Sequence, residues 1–212
     1  MQRIINDFLI IENESDDIAV SATFNMEKDT ELFSNLEVEP SNACLRFYTW
    51  PKTCVTYGFN QDLSEVKAIS FGLGVPETVD FVRRPTGGGL VIHSPEDLTY
   101  SLVVPLRFFP ADYSLLSIYY KISEQINRSL NSIGIYSELR RNSKQEFSDK
   151  RINPVCADFP AKYEIMLGDQ KIVGSAQKKG KKVLLQQTQI FLNDYSREDL
   201  KNAIIKNITD SI

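Results

Sequence analysis

The stretch Tyr163–Leu192 reads YEIMLGDQKIVGSAQKKGKKVLLQQTQIFL and contains three largely apolar runs. The dipeptide Gly168-Asp169 separates the first run from the second, and the lysine-rich stretch 178–181 separates the second from the third. Short apolar runs joined by turn residues are typical of antiparallel hairpins. The pattern therefore predicts an antiparallel meander of three strands, Tyr163–Leu167, Lys171–Gln177 and Val183–Leu192.

The rest of the chain mixes strands and helices without a regular alternation. The sequence predicts four further strands, at Leu45–Trp50, Thr53–Gly58, Val79–Arg83 and Leu98–Val104. It predicts three helices, over about residues 19–36, from Leu115 to Ile133 and from Ser196 to Ile208. Elements mixed in this way favour an α+β fold with mixed, largely antiparallel sheets and a few helices.

Individual residues indicate how these elements begin, end and pack. Phe24, Leu32 and Leu36 are expected to lie on one side of the first helix. Asp112 is expected to cap the second helix, and Gly134 to end it. Apolar residues alternate in the strand Leu98–Val104, which predicts one buried face. The polar stretch 140–154 is expected to form a mobile loop.

Composition and charge narrow the class of protein. The chain has 212 residues, 42% of them apolar, which suits one globular domain spanning residues 1–212. Its net charge of −4 argues against a nucleic-acid partner, because basic charge drives such binding. Three irregularly spaced cysteines do not form a disulfide framework, and no apolar stretch approaches the roughly 18 residues of a membrane span. We therefore expect a cytoplasmic protein without a membrane partner.

A glycine-rich segment, Arg83–His93, is the first candidate for chemistry. Three consecutive glycines, Gly87–Gly89, cost conformational entropy on folding, which makes sense where a main chain approaches a ligand and points its N–H groups at an anion. Arg83 and Arg84 add positive charge with bidentate geometry. The spacing fits neither a P-loop nor a dinucleotide fingerprint. The segment predicts an anion or nucleotide site, and the alternative is a hairpin turn with solvated arginines.

The second candidate is the strand that Lys171 begins. The small residues Gly174, Ser175 and Ala176 follow and would leave room for a substrate. A lysine that points into such a pocket can polarise an acyl carbonyl or neutralise a phosphate. The alternative is a lysine whose ammonium reaches the surrounding water.

The remaining candidates are thiols, the single histidine and a basic turn. Cys44 and Cys54 lie in apolar strands and are expected to be buried and inert, whereas Cys156 follows a polar loop and is the better candidate for an accessible thiol. His93 is the only histidine and has no cysteines at ligand spacing, so no metal site is predicted. The cluster Lys178–Lys182 is either a solvated turn or a docking patch for an acidic partner.

Taken together, these segments resemble the lipoate–protein ligase A family, whose relatives include octanoyltransferases and biotin–protein ligases. The matching pieces occur in the family's order and cover the chain from about residue 20 to residue 192. No single piece decides the resemblance, but the ordered set is highly specific. The pieces are Phe24–Met26, Arg46–Trp50, Arg83–His93, Asp97–Ser101 and Lys171–Gln177.

The resemblance implies a biotin/lipoyl-ligase-like catalytic domain whose sheet encloses a narrow acyl tunnel. It implies that the Arg84–Gly89 loop holds the activated end of the acyl group, and that Lys171 contacts the acyl carbonyl or an adenylate phosphate. The acyl acceptor would be a lysine on the lipoyl domain of a 2-oxoacid dehydrogenase E2 or on the glycine-cleavage H protein. The substrate-binding residues would be Arg83, Arg84, Thr86, Gly87, Gly88, Gly89, His93, Gly174, Ser175 and Ala176.

The resemblance leaves two mechanisms open. A ligase would use ATP with magnesium to attach lipoate through a lipoyl-adenylate, whereas an octanoyltransferase would take octanoate from acyl carrier protein through a cysteine thioester, without a cofactor. Gly87–Gly89 looks more like the ligases, because the transferases often carry an arginine at the third position. Cys156, fifteen positions before Lys171, looks like the transferases' nucleophile. A third interpretation is a non-catalytic homologue that binds an acyl group or adenylate.

The chain also departs from the family pattern. Ser94 follows His93 where an aspartate is usual, and Gln186-Gln187 stand where His-Gly is usual. The sequence ends at Ile212, so the expectation is one catalytic domain without the C-terminal accessory domain of full-length ligases. These departures argue against complete ATP-dependent ligation.

Overall fold

The computed structural model describes residues 2–12, 21–140, 163–192 and 194–212. Two β-sheets account for the strands of these residues. The strands are β1 (Gln2–Ile5), β2 (Phe8–Glu12), β3 (Ala43–Tyr48), β4 (Cys54–Tyr57), β5 (Asp80–Arg83), β6 (Val91–His93), β7 (Leu98–Pro105), β8 (Glu138–Arg140), β9 (Glu164–Leu167), β10 (Gln170–Lys179) and β11 (Val183–Ile190). The helices of the described ranges are α1 (Ala22–Val38), α2 (Leu63–Gly72), α3 (Leu115–Ser132) and α4 (Arg197–Ser211), with a 3-10 turn at Leu106–Phe108.

The larger sheet contains eight strands in the order β1-β2-β3-β7-β11-β10-β9-β8. Its neighbouring strands are antiparallel except for β2 and β3, which are parallel. The smaller sheet has β4 at its centre, parallel to β5 and antiparallel to β6. The predicted meander is thus confirmed as β9, β10 and β11, and so is the mixed, largely antiparallel character of the fold.

Helices cover both faces of the larger sheet. On one face, Ile122 of α3 and Ile204 of α4 belong to the same buried cluster as Tyr100 of β7. On the other face, Phe33 of α1 packs in a cluster with Val103 of β7. All eight residues of β7 are therefore buried: the face of Leu98, Tyr100, Leu102 and Val104 is buried as expected, and the opposite face is buried as well. Alternation within a strand does not reveal whether a second layer covers its other face.

Local signals predicted some helix ends and missed others. Gly134 ends α3 with a φ of +86°, as expected, but Ser114 caps that helix instead of Asp112, because its hydroxyl accepts from the Ser117 amide. Of the apolar residues expected on one side of α1, Leu36 is buried whereas Phe24 is 47% exposed, since the buried side of α1 runs through the polar residue Asp29. The loop predicted at 140–154 lies outside the described residues, except for Arg140 at the end of β8.

A buried ion pair joins α1 to the larger sheet. The Asp29 carboxylate accepts from Arg46 Nη1 at 2.9 Å, and both side chains are at most 1% exposed. The same carboxylate accepts from Tyr48 Oη at 2.9 Å and from Ser101 Oγ at 2.6 Å. Arg46 Nη2 also donates to Asn25 Oδ1 at 2.5 Å. Because burial of a charge is costly unless partners surround it, this network requires all of its members.

The Asp29 carboxylate provides a direct test of this network. Removing it by Asp29→Ala leaves Arg46 buried without its counter-charge, and we expect a loss of about 3–5 kcal/mol in the free energy of unfolding. Urea denaturation measures the loss. The matched control is Glu31→Ala in the same helix, which removes the exposed pair of Lys28 and Glu31 and should cost less than about 1 kcal/mol. Equal losses for the two variants would show that the buried pair contributes no more to the free energy of unfolding than the exposed pair does.

Candidate active site

A pocket lies where the smaller sheet meets the face of the larger sheet that packs on α1. Its empty space, including the part that is open to solvent, is about 370 Å³. The residues that line it come from α1, both sheets and the segments that follow β3 and β5. They are Met26, Tyr48, Trp50, Thr56, Arg84, Val91, His93, Thr99, Gly174, Ser175, Ala176, Gln187, Thr188 and Gln189.

Arg84 supports the glycine-rich loop through its guanidinium group. Its Nη2 donates to the carbonyl oxygens of Gly87 at 3.0 Å and Gly89 at 2.7 Å, and its Nη1 donates to Thr56 Oγ1 at 2.9 Å. In a trans peptide the N–H points opposite to the carbonyl, so the amides of Gly88 and Leu90 point away from this guanidinium. Arg84 is 5% exposed and thus holds the loop from inside the protein.

The loop requires two glycines. Gly88 has a φ of +92°, a conformation that side-chain-bearing residues rarely adopt. Gly58 lies against the loop, and a Cβ added there would lie 2.0 Å from the Gly88 carbonyl oxygen. Gly58 is not predicted from the sequence as a site residue, because its role depends on a contact with a residue thirty positions away.

A chain of hydrogen bonds connects the loop to the buried ion pair. Thr86 Oγ1 donates to Gln187 Oε1 at 2.7 Å, and Gln187 Nε2 donates to the Asp29 carboxylate at 2.7 Å. Gln187 therefore links the loop, β11 and α1. Gln187 departs from the family pattern, and its amide contacts Thr86 and Asp29.

His93 is buried beside Trp50, and the two rings stack with centroids 4.0 Å apart. Its Nε2 lies 2.7 Å from Thr56 Oγ1. Burial, together with the nearby positive charge of Arg84, holds the pKa of His93 well below its usual value, so the ring is neutral at pH 7. Since Arg84 donates to Thr56, we assign the Thr56 hydroxyl as a donor to Nε2 and the ring proton to Nδ1.

Two buried side-chain polar atoms of the pocket-lining residues have no hydrogen-bond partner among the described residues. They are His93 Nδ1 and Gln189 Oε1. The Gln189 amide is oriented by its Nε2, which donates to Asp97 Oδ2 at 2.6 Å. Buried polar atoms are normally paired, so a donor and an acceptor without partners are suited to contact a bound polar group or water.

Lys171 is buried next to the pocket. Its side chain is 4% exposed, and its Nζ lies 3.2 Å from Glu164 Oε1. Its Cε is 3.9 Å from the position that a Cβ on Gly174 would occupy. The alternative of a lysine that reaches the surface is therefore wrong. Gly174, Ser175 and Ala176 line the pocket, whereas Lys171 lies beside that lining.

The other candidates divide between the interior and the surface. Arg83 is exposed, and its guanidinium carbon lies 5.5 Å from the centroid of the Tyr57 ring. Cys44 and Cys54 are buried as expected, and burial raises the pKa of each thiol to about 12. Cys156 lies outside the described residues. In the ranges that the structure describes, no group of three His, Cys, Asp or Glu side chains is arranged to hold a metal ion.

The basic turn between β10 and β11 wraps around Glu37 of α1. The Glu37 carboxylate accepts from the amides of Lys181 at 2.6 Å and Lys182 at 3.1 Å. The Lys178 ammonium lies 4.8 Å from the centroid of the Phe33 ring. The turn is thus anchored to α1, and its role in docking stays a prediction.

Comparison with known proteins identifies the family. The model of the lipoyl protein ligase A/B catalytic domain matches residues 21–210. The chain belongs to this family.

Among the described helices, none has both the length and the apolar character needed to cross a bilayer.

Two relatives found by sequence carry the same name. The octanoyltransferase LipM of Clostridioides difficile is 32% identical over 200 residues, which cover 94% of this chain and 70% of that protein. The octanoyltransferase LipM of Bacillus subtilis is 35% identical over 181 residues, which cover 82% of this chain and 62% of that protein. The chain thus spans roughly two thirds of the length of these relatives.

Solved structures show the same fold in lipoyl protein ligases. A crystal structure of lipoate-protein ligase A bound with ATP matches with a TM-score of 0.69 and 21% identity, over 96% of this chain and 84% of that chain. The bipartite lipoate protein ligase of Thermoplasma acidophilum, studied with its E2 lipoyl domain, matches with a TM-score of 0.59 and 17% identity, over 95% and 82%. At such identities the likeness concerns the fold, and it confirms the predicted α+β class.

The close approach of Gly58 to the loop generates a test of the pocket's frame. In Gly58→Ala the new methyl group collides with the Gly88 carbonyl, so we expect a loss of about 1–3 kcal/mol in the free energy of unfolding. The control is Gly72→Ala at the end of α2, where nothing lies within 4 Å of the added carbon. That variant should be neutral or more stable by up to about 1 kcal/mol. Equal changes in urea denaturation would contradict the described approach of the loop.

Proposed function

We propose that this chain is an octanoyltransferase that moves an octanoyl group from acyl carrier protein to a lysine of a lipoyl-domain or H-protein acceptor. The observation that carries the proposal is the name shared by relatives at 32% and 35% identity, which are octanoyltransferases. Cys156 is the proposed nucleophile, on the basis of its position fifteen residues before Lys171. ATP and magnesium have no role in this reaction.

The engagement of Arg84 supports a transferase. Both of its terminal nitrogens donate to groups of the protein, which are the Thr56 hydroxyl and the carbonyls of the Gly87–Gly89 loop. A ligase needs positive charge directed at the phosphates of ATP and of the adenylate. Here Arg84, which is buried, stabilises the loop, whereas Arg83 is exposed. A thioester donor brings no phosphate to the reacting carbonyl, so a transferase does not need positive charge directed at a phosphate.

The pocket suits an acyl chain. Met26, Tyr48 and Trp50 contribute apolar surface, and Gly174 and Ala176 leave space along β10. A side chain at Gly174 would approach the Phe191 ring to 3.2 Å and Lys171 Cε to 3.9 Å. Glycine there keeps a path between the pocket and Lys171. We infer that the chain of the octanoyl group lies in the pocket and that its carbonyl faces Lys171.

The proposed reaction has two steps. The Cys156 thiolate attacks the carbonyl of the carrier thioester, a new carbon–sulfur bond forms, and the carrier's thiolate leaves and takes up a proton. The neutral amine of the acceptor lysine then attacks the octanoyl–cysteine thioester, a carbon–nitrogen bond forms, and the Cys156 thiolate leaves while the amine loses a proton to water. In each step the Lys171 ammonium stabilises the negative charge that develops on the carbonyl oxygen.

A lipoate ligase that forms a lipoyl-adenylate is the second candidate function. Two observations favour it: the glycine triplet Gly87–Gly89, and the fold shared with a lipoate-protein ligase A bound with ATP. Under this alternative the acceptor amine attacks the adenylate directly and needs no thiol. The role of Cys156 therefore separates the two candidates.

The acceptor is proposed to dock at the basic turn Lys178–Lys182. Lys179, Lys181 and Lys182 are exposed there, and the backbone of the turn is held by Glu37. A rigid basic patch would speed the association of an acidic acceptor. We place the reaction in the cytoplasm.

We expect Cys156→Ser to abolish acylation of a lipoyl domain from octanoyl-carrier protein, because the hydroxyl does not form the thioester. The acceptor's intact mass is the readout. The matched control is Cys44→Ala, which removes a buried thiol on β3 and should retain transfer. A parallel reaction contains lipoate, ATP and magnesium. If Cys156→Ser still modifies the acceptor in that reaction, the protein is a ligase. If the wild type modifies the acceptor from neither donor, it is a non-catalytic homologue.

A further inference from the structure

A buried carboxylate stands beside the lysine of the proposed reaction. Glu164 of β9 places its Oε1 3.2 Å from the Lys171 ammonium, and the two side chains are 6% and 4% exposed. Removing an ammonium and a carboxylate from water is costly for each ion. Their attraction offsets that cost only if the geometry is good, so the protein must hold both groups closely.

The backbone on each side of this pair is irregular. In the pairing of β9 with β10, Lys171 lies opposite Met166 and Val173 lies opposite Ile165, so the register shifts by one residue at a β-bulge. Bulges re-aim side chains and are over-represented next to active sites. Here the bulge lies directly after Lys171 and thus sets the direction of its side chain.

The residue before Glu164 is also in an unusual conformation. Tyr163 has a φ of +68°, which is costly for a large aromatic residue. Its amide donates to the Arg140 carbonyl at 2.7 Å, and its ring lies 4.8 Å from that of Tyr120. These contacts fix the start of β9, and with it the position of Glu164.

We propose that Glu164 is a positioning residue that orients the Lys171 ammonium toward the acyl carbonyl; this inference rests on the proposed acyl transfer. Glu164 acts through Lys171 and does not touch the substrate. Its carboxylate offsets the desolvation of the ammonium and limits the directions in which the lysine can point. An ammonium oriented before the substrate arrives stabilises the developing oxyanion without reorganisation.

Two ion pairs are buried among the described residues, and they differ in what surrounds them. Asp29 and Arg46 are tied to four further side chains, those of Asn25, Tyr48, Ser101 and Gln187, and join helix to sheet. Glu164 and Lys171 lie on adjacent strands that are already joined by backbone hydrogen bonds, next to Gly174 of the pocket lining. The second pair is therefore not needed to join these strands, and its place beside the pocket points to the reaction.

The test compares Glu164→Gln with Glu164→Asp and with the control Glu138→Gln, whose carboxylate is on the exposed residue that starts β8. We expect Glu164→Gln to lower kcat for transfer from octanoyl-carrier protein by on the order of 10²-fold, with KM nearly unchanged, because the amide keeps the size of the carboxylate but not its charge. Glu164→Asp should recover part of the rate, and Glu138→Gln should match the wild type.

A double-mutant cycle shows whether Glu164 acts through Lys171. In the Lys171→Ala background, adding Glu164→Gln should produce no further loss, whereas independent roles would give multiplied losses. Rates are normalised to the folded fraction from urea denaturation. An unchanged kcat in Glu164→Gln, or multiplied losses in the cycle, would overturn the inference while leaving the transferase assignment intact. If the wild type instead uses only lipoate and ATP, the transferase proposal fails, and the same cycle with that donor still decides the role of Glu164.

Discussion

The ion pair of Asp29 and Arg46 is the constraint on which the rest of the structure depends. Both charged side chains are buried. The carboxylate is tolerated in the core only because four side chains donate hydrogen bonds to it, namely Arg46, Tyr48, Ser101 and Gln187. Such a pair adds little net stability compared with apolar packing, but it tolerates few alternative arrangements. It therefore fixes α1 against the sheet in one position.

The shape of the pocket depends on the ion pair of Asp29 and Arg46. Gln187 carries the network to Thr86, and Arg84 holds the neighbouring carbonyls, so the glycine-rich loop is attached to the fold at two places. Three positive charges thus have separate tasks. Arg46 holds helix to sheet and Arg84 shapes the loop, whereas Lys171 is the charge that we assign to the acyl carbonyl.

The sequence predicted what is encoded locally and missed what depends on distant contacts. The meander was predictable because its turns contain glycine and lysine between apolar runs. Helix α2 was missed because only Val66 and Ser70 of its residues are buried, which leaves no clear apolar stripe. Gly58 carries no local signal, since the Gly88 carbonyl that excludes a side chain comes from another part of the chain. Likewise, the charge of Asp29 predicts an exposed side chain. Its burial depends on hydrogen-bond partners that the fold brings to it.

The mechanism is tested most directly by the mass of the enzyme itself. Purified protein is incubated with octanoyl-carrier protein without an acceptor, and its intact mass and the modified peptide are measured. The account predicts an increase of one octanoyl group, located on Cys156 and removed by hydroxylamine, while Cys44 and Cys54 stay unmodified because burial raises the pKa of their thiols to about 12. An enzyme that acylates its acceptor from this donor but never carries the octanoyl group on Cys156 would contradict the account.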